Sequence, residues 1–227
     1  MSYRKAMQQK NIGNLNCYVI EPDADVIPNN VVILFHGYGA DGRDLISIAD
    51  MWTERLNNVV FIAPDSPIQC EESPFGKQWF SLNPYTKESM VQQIQETSDM
   101  TDGFISAVTQ EYNIKRNRVV LSGFSQGCMM ALHIALTSEE PFAGVLGYSG
   151  MLLDHTAAQK SVNKHTPIHL IHGTGDVVVP SAEWDEATSL LKKLNYPVTG
   201  YKTKGLDHSI DFQGIDSGMF FLVQCLS

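Results

Sequence analysis

The residues in this chain best placed to do nucleophilic chemistry are Gly123-Phe124-Ser125-Gln126-Gly127, its only GxSxG segment. The preceding residues 118–122 read as a strand, and residues 128–136 read as a helix. A serine on a strand-turn-helix corner stands exposed at a helix N-terminus, where amides and dipole favour developing negative charge. Glycines on either side suit a turn too tight for a Cβ near the serine. A serine hydroxyl is a poor nucleophile until a base takes its proton and an acid orients that base. On such corners the acid follows the serine in the chain, and the histidine follows the acid.

That order selects the other two residues. The apolar run 168–172 ends in Gly173-Thr174-Gly175-Asp176, which puts Asp176 in the loop at the carboxyl end of a strand, the edge where ligands bind in α/β sheets. Its alternative reading is a turn or cap aspartate. Of the seven histidines, His208 follows another strand-like segment, 198–203, and precedes the last helix. His36 comes before the nucleophile, and His133 lies inside the helix that follows it. His155 and His165 sit in a polar stretch, while His169 and His172 read as core or loop-supporting residues on a strand. Asp207 adjoins His208, but neighbouring side chains in extended chain diverge, which favours Asp176 as the acid. An acyl-transfer oxyanion needs two donors. The backbone N–H of Gln126 is one, and the glycine-rich run 36–42 offers the amide of Tyr38 as the other, with His36 supporting that loop.

Metal chemistry finds less support. His169 and His172, three apart on a strand, face opposite sides and do not share an ion easily. Cys17, Cys70, Cys128 and Cys225 are scattered without a CxxC pair, so neither a zinc site nor a disulfide framework is expected, and no cofactor is required.

Strand-like runs at 17–20, 31–36, 59–63, 118–122, 144–149, 168–172 and 198–203 alternate with helical patterns. Helices are expected at 44–56, 88–112 and 128–136, from Ser181 through Leu194, and around 217–226. The alternation predicts an α/β fold with a mostly parallel central sheet, in one domain spanning 1–227. The segment 65–86 is a long loop rich in proline and carrying Phe75, Trp79, Phe80 and Tyr85. Its aromatics serve either a substrate site or core packing.

The chain has 227 residues, 43% hydrophobic and 18% charged, an ordinary globular balance. Lys plus Arg is 16 and Asp plus Glu is 25, a net charge of −9 that repels phosphate backbones and excludes nucleic acid as an expected partner. No apolar run approaches the ~18 residues of a membrane span, and the first ten residues lack a secretory pattern. A cytoplasmic location with free thiols is the expectation.

Four motifs, HGYGADGRD (36–44), GFSQG (123–127), HGTGDVVVP (172–180) and GLDHSI (205–210), together resemble the phospholipase/carboxylesterase group of small α/β hydrolases, which includes the acyl-protein thioesterases. The resemblance covers nearly the whole chain. It implies an α/β-hydrolase fold with helices on both faces and no large cap domain, and cleavage of carboxylic esters or thioesters. By motif it maps the triad onto Ser125, Asp176 and His208 and the oxyanion amides onto Tyr38 and Gln126. It also likens Gln78-Trp79-Phe80 to a Trp-Phe pair near the acyl-binding groove, making Trp79, Phe80 and neighbouring Phe75 expected substrate contacts. The chain departs from the family at Tyr38 (usually leucine in the thioesterases), Cys128 (often glycine) and Ser81 (often aspartate).

The expected substrate is a small ester or acyl-thioester with a short to medium acyl chain. The aromatic segment favours a lysophospholipase or thioesterase acting at membrane surfaces as the rival, which the negative charge opposes at anionic lipid. A non-catalytic binding protein on the same fold is the rival of another class. Peripheral membrane contact and a homodimer are left open.

Overall fold

The computed structural model describes residues 6–227; residues 1–5, the start of the segment read above for a secretory pattern, lie outside the described residues. Among the described residues the main sheet has eight strands: β1 (Met7–Ile12), β2 (Leu15–Ile20), β3 (Asn30–Phe35), β4 (Val59–Pro64), β7 (Val119–Phe124), β8 (Gly144–Tyr148), β9 (Ile168–Gly173) and β10 (Val198–Thr203). Their order is β1-β2-β4-β3-β7-β8-β9-β10. The β1–β2 and β2–β4 pairs are antiparallel and the rest parallel, so the sheet is mixed but mostly parallel.

Alternation along the central strands divides the core in two. Val31, Ile33 and Phe35 of β3 and Val119 and Leu121 of β7 face one apolar cluster, whereas Val32, Leu34 and Val120 face the other. Five helices cover the first face: α2 (Lys87–Glu96), α3 (Ser98–Glu111), α4 (Gln126–Thr137), α5 (His155–Lys160) and α6 (Ala182–Lys193). On the second lie α1 (Gly42–Ile46) and α7 (Phe212–Leu226), with Leu45, Ile46, Ile215, Met219 and Leu222 buried against it. This is the α/β-hydrolase arrangement, with no large inserted cap among the described residues.

Several elements differ from expectation. The helix expected over 44–56 is α1 followed by a 3-10 turn, Ser47–Met51, and the one expected over 88–112 is broken into α2 and α3 at Thr97. Thr97 Oγ1 donates to the Ile94 carbonyl, a local bond that competes with the helical ladder. The 65–86 segment carries a two-residue hairpin, β5 (Ile68–Gln69) with β6 (Lys77–Gln78), that anchors it; Gly39 N–H donates to Lys77 O at 2.9 Å. Strand β1 and helix α5 had no counterpart in the sequence reading. Helix α7 begins at Phe212, five residues before the expected 217.

Candidate active site

Parallel strands β3, β7 and β9 bring their carboxyl ends to one rim, and three loops leave it. The corner from β7 to α4 holds Ser125 at φ 54°, ψ −118°, outside the regions open to ordinary L-residues. Two packing constraints impose this. A Cβ on Gly123 would collide with the backbone of Gly127, and a Cβ on Gly127 would collide with the carbonyl of Phe35. The corner is locked by Ser125 N–H donating to Tyr148 O at 2.9 Å, while Ser125 O accepts from Cys128 N–H at 3.0 Å. The thiol of Cys128, where relatives by resemblance often have glycine, packs against Gly147 and Gly150, and burial pushes its pKa up to about 12.

The loop after β9 carries Asp176, whose side chain has no exposed surface. Its Oδ1 accepts from Val178 N–H at 2.9 Å and Val179 N–H at 2.8 Å. Its Oδ2 lies 2.7 Å from His208 Nδ1. The two loops are joined directly: Gly175 N–H donates to Leu206 O and Gly205 N–H to Thr174 Oγ1, both at 2.8 Å. Gly173 permits this approach, since a Cβ there would strike the Leu206 carbonyl. The His208 ring packs on Phe124, the residue before Ser125, with centroids 4.7 Å apart.

The loop after β3 passes beside the serine, a Cβ on Gly37 falling 3.5 Å from Ser125 Cβ. His36 supports it as expected: Nδ1–H donates to Gly37 O at 2.8 Å, and Nε2 accepts from Ser66 N–H at 3.1 Å, which fixes the tautomer. Burial lowers the His36 pKa, keeping the ring neutral. The β3 loop at Gly37 and the first turn of α4 at Gln126 therefore flank Ser125. As the first residue of α4, Gln126 has a backbone N–H with no partner inside the helix.

The aromatic residues divide. Trp79 is 0% and Phe80 2% exposed, whereas Phe75 is 90% exposed. In this structure Trp79 and Phe80 pack into the core rather than standing in solvent. Trp79 supports the β3 loop: its indole N–H donates to His36 O at 3.0 Å, and its ring lies edge-on to Phe35 at 5.2 Å. The side chain of Gln126, a role that sequence reasoning missed, ties this segment to α4. Its Oε1 accepts from Trp79 N–H at 2.7 Å and its Nε2 donates to Phe80 O at 2.8 Å.

A second Ser-His-Asp series lies among the helices. Ser98 Oγ is 3.0 Å from His133 Nε2, and His133 Nδ1 is 4.0 Å from Asp154 Oδ2, the atom order that a triad uses. Sequence reasoning missed it, because the three residues are brought together only when α2–α3, α4 and α5 pack. Ser98 lines a cleft of about 390 Å³ with Asp99, Asp102 and Ile134. The series differs from the rim site in three respects. His133 Nδ1 has no hydrogen-bond partner, Asp154 is committed to Gln95 Nε2 at 2.8 Å and to the Ala157 amide at 2.8 Å, and Ser98 is the first residue of α3 rather than a strand-to-helix corner.

The profile of the phospholipase/carboxylesterase family matches residues 15–226. Acyl-protein thioesterase 1 of Emericella nidulans is 31% identical over 199 residues, 79% of this chain and 83% of that protein. The enzyme of the same name from Gibberella zeae is 31% identical over 210 residues, covering 84% and 88%. Among solved structures, esterase PE8 superposes with a TM-score of 0.86 at 29% identity, over 92% of this chain and 97% of that one. Zea mays acyl-protein thioesterase 2 shares the fold, with a TM-score of 0.71 at 19% identity over 93% and 99%.

Proposed function

The chain belongs to the phospholipase/carboxylesterase family, hydrolases of carboxylic ester and thioester bonds, and we propose that it performs this hydrolysis with Ser125, His208 and Asp176 on short to medium acyl chains. The observation that carries the choice of residues is the 2.7 Å contact of His208 Nδ1 with buried Asp176, on the rim that holds Ser125 at positive φ. His208 Nε2 takes the proton of Ser125 as Oγ attacks the acyl carbon. The oxyanion is held by the amides of Tyr38 and Gln126, and His208 then protonates the departing alcohol or thiol. Water, deprotonated by the same imidazole, cleaves the acyl-enzyme. Asp176 holds Nδ1–H throughout and offsets the imidazolium charge.

The named acyl-protein thioesterases among the relatives favour thioesters as the second substrate class, with Phe75, Val177 and Phe212, all largely exposed, as apolar surface for a longer chain or a lipid interface. Hydrolysis of p-nitrophenyl and thioester substrates from two to sixteen acyl carbons, with and without micelles, tests both readings. The proposal expects a maximum at short or medium chains without micelles, and a loss of roughly 10⁴- to 10⁶-fold in Ser125→Ala. A maximum reached only with long chains in micelles favours the interfacial reading instead. A loss under tenfold in Ser125→Ala removes Ser125 as nucleophile.

A further inference from the structure

We propose that His172 is a positioning residue for Asp176, and this rests on the reading of Asp176 as the acid. His172 is the penultimate residue of β9 and is 1% exposed. Its Nε2 lies 2.8 Å from Val179 O and 3.2 Å from Asp176 Oδ2. A carbonyl only accepts, so Nε2 carries the proton and donates it to Val179 O, with Asp176 Oδ2 close beside that bond.

The consequence is a closed set of bonds. Asp176 Oδ1 holds the N–H of Val179, and His172 holds the carbonyl of the same residue. Oδ2 pairs with His208 and has the His172 ring 3.2 Å away on its other side, while Oδ1 takes two amides. The carboxylate accepts three hydrogen bonds, and rotation about its last bond would break them together.

The loop needs such a grip because it has little apolar anchoring: Val177 is 90% and Val178 56% exposed, and only Val179 is buried. Without His172 the Val179 carbonyl loses its partner, and the 176–179 turn, still tied to the His208 loop through Thr174 and Gly175, holds the carboxylate less firmly toward His208. By contrast His169, on the opposite face of β9, contacts the hydroxyls of Thr199 and Ser217 at 2.8 and 3.0 Å, away from the rim. It has no part in this grip.

The test is a double-mutant cycle on a p-nitrophenyl ester, with kcat and KM measured for His172→Phe, His172→Gln, Asp176→Asn and the His172→Phe/Asp176→Asn pair. Glutamine places an amide nitrogen at the reach of Nε2, and phenylalanine keeps the volume without a donor. A misplaced acid predicts a kcat lowered ~10- to 100-fold in His172→Phe with KM within about twofold, and most of that loss recovered in His172→Gln. Asp176→Asn lowers kcat by ~10³- to 10⁴-fold, and adding His172→Phe to it costs less than about twofold more. Equal losses in the Phe and Gln variants, or full additivity in the pair, overturn the proposal. If Asp176→Asn keeps wild-type kcat, the triad reading itself has failed. Should His172→Phe not fold, His172→Asn, whose amide stops at the reach of Nδ1, replaces it with the same expectations.

Discussion

At Ser125 the backbone conformation costs stability. A non-glycine residue held in a sparsely populated region costs on the order of 1–3 kcal/mol, and it persists here because Gly123, Gly127 and the Tyr148 carbonyl fix the corner. Ser125→Gly is therefore expected to raise the unfolding free energy by about 1 kcal/mol, after about 0.5–1 kcal/mol is lost to chain entropy, while removing activity. Chemical denaturation measures it, and an unchanged or lower midpoint contradicts the strain. Ser125, Asp176 and His208 were legible as candidates because nucleophile, acid and base follow a fixed chain order and each stands beside a strand end. Burial was not legible. The aromatics of the 65–86 segment read as either substrate contacts or core packing; Trp79 and Phe80 are buried and Phe75 is in solvent, and nothing in a proline-rich segment says which way a ring turns. The Ser98–His133–Asp154 series was invisible for a related reason, since helix packing alone assembles it.

Among the elements, the sheet strands buried on both faces were read from their β-branched runs. Strand β1, Met-Gln-Gln-Lys-Asn-Ile, was not, because it is an exposed edge formed by pairing six residues with β2 rather than by its own pattern. The α2–α3 break escaped because an unbroken three-and-four spacing crosses Thr97, and a side-chain bond to the backbone leaves no trace in that spacing. The aromatic segment works as a brace between β3 and α4 more than as a loose loop. This separates two substitutions. Trp79→Phe leaves the His36 carbonyl without its indole donor and should cost about 1–3 kcal/mol, with kcat falling as the β3 loop shifts. Phe75→Ser should leave stability within about 0.5 kcal/mol, since the ring is in solvent, and change only the KM for longer acyl chains. Thermal unfolding with parallel kinetics distinguishes them, and equal destabilisation by both contradicts the division.

For the whole molecule, two apolar layers on either side of the sheet enclose several histidines. Burial lowers the pKa of His36, His133 and His169 from the ordinary 6.5, with the Asp154 charge opposing it at His133. The unfolded chain then binds protons near pH 6.5 that the folded chain refuses until lower pH, so stability rises with pH through that window. Their contribution is complete above about pH 7 and is lost on acidification from about 6.5 downward. The melting temperature should accordingly fall between pH 6.5 and 5, and His169→Gln, which keeps a partner for Thr199 or Ser217, should flatten part of that fall. A melting temperature that climbs on acidification refutes it. The fold class followed from alternation of strands and helices along the chain. The antiparallel β1–β2–β4 edge needed the structure, because strand order across a sheet is set by long-range pairing.

Labelling of the intact protein by a fluorophosphonate, followed by peptide mass mapping, asks directly whether Ser125 is the residue acylated. One adduct is expected, on Ser125, absent in Ser125→Ala, slowed in Asp176→Asn and unchanged in Ser98→Ala. An adduct on Ser98, or labelling that survives Ser125→Ala, would contradict it.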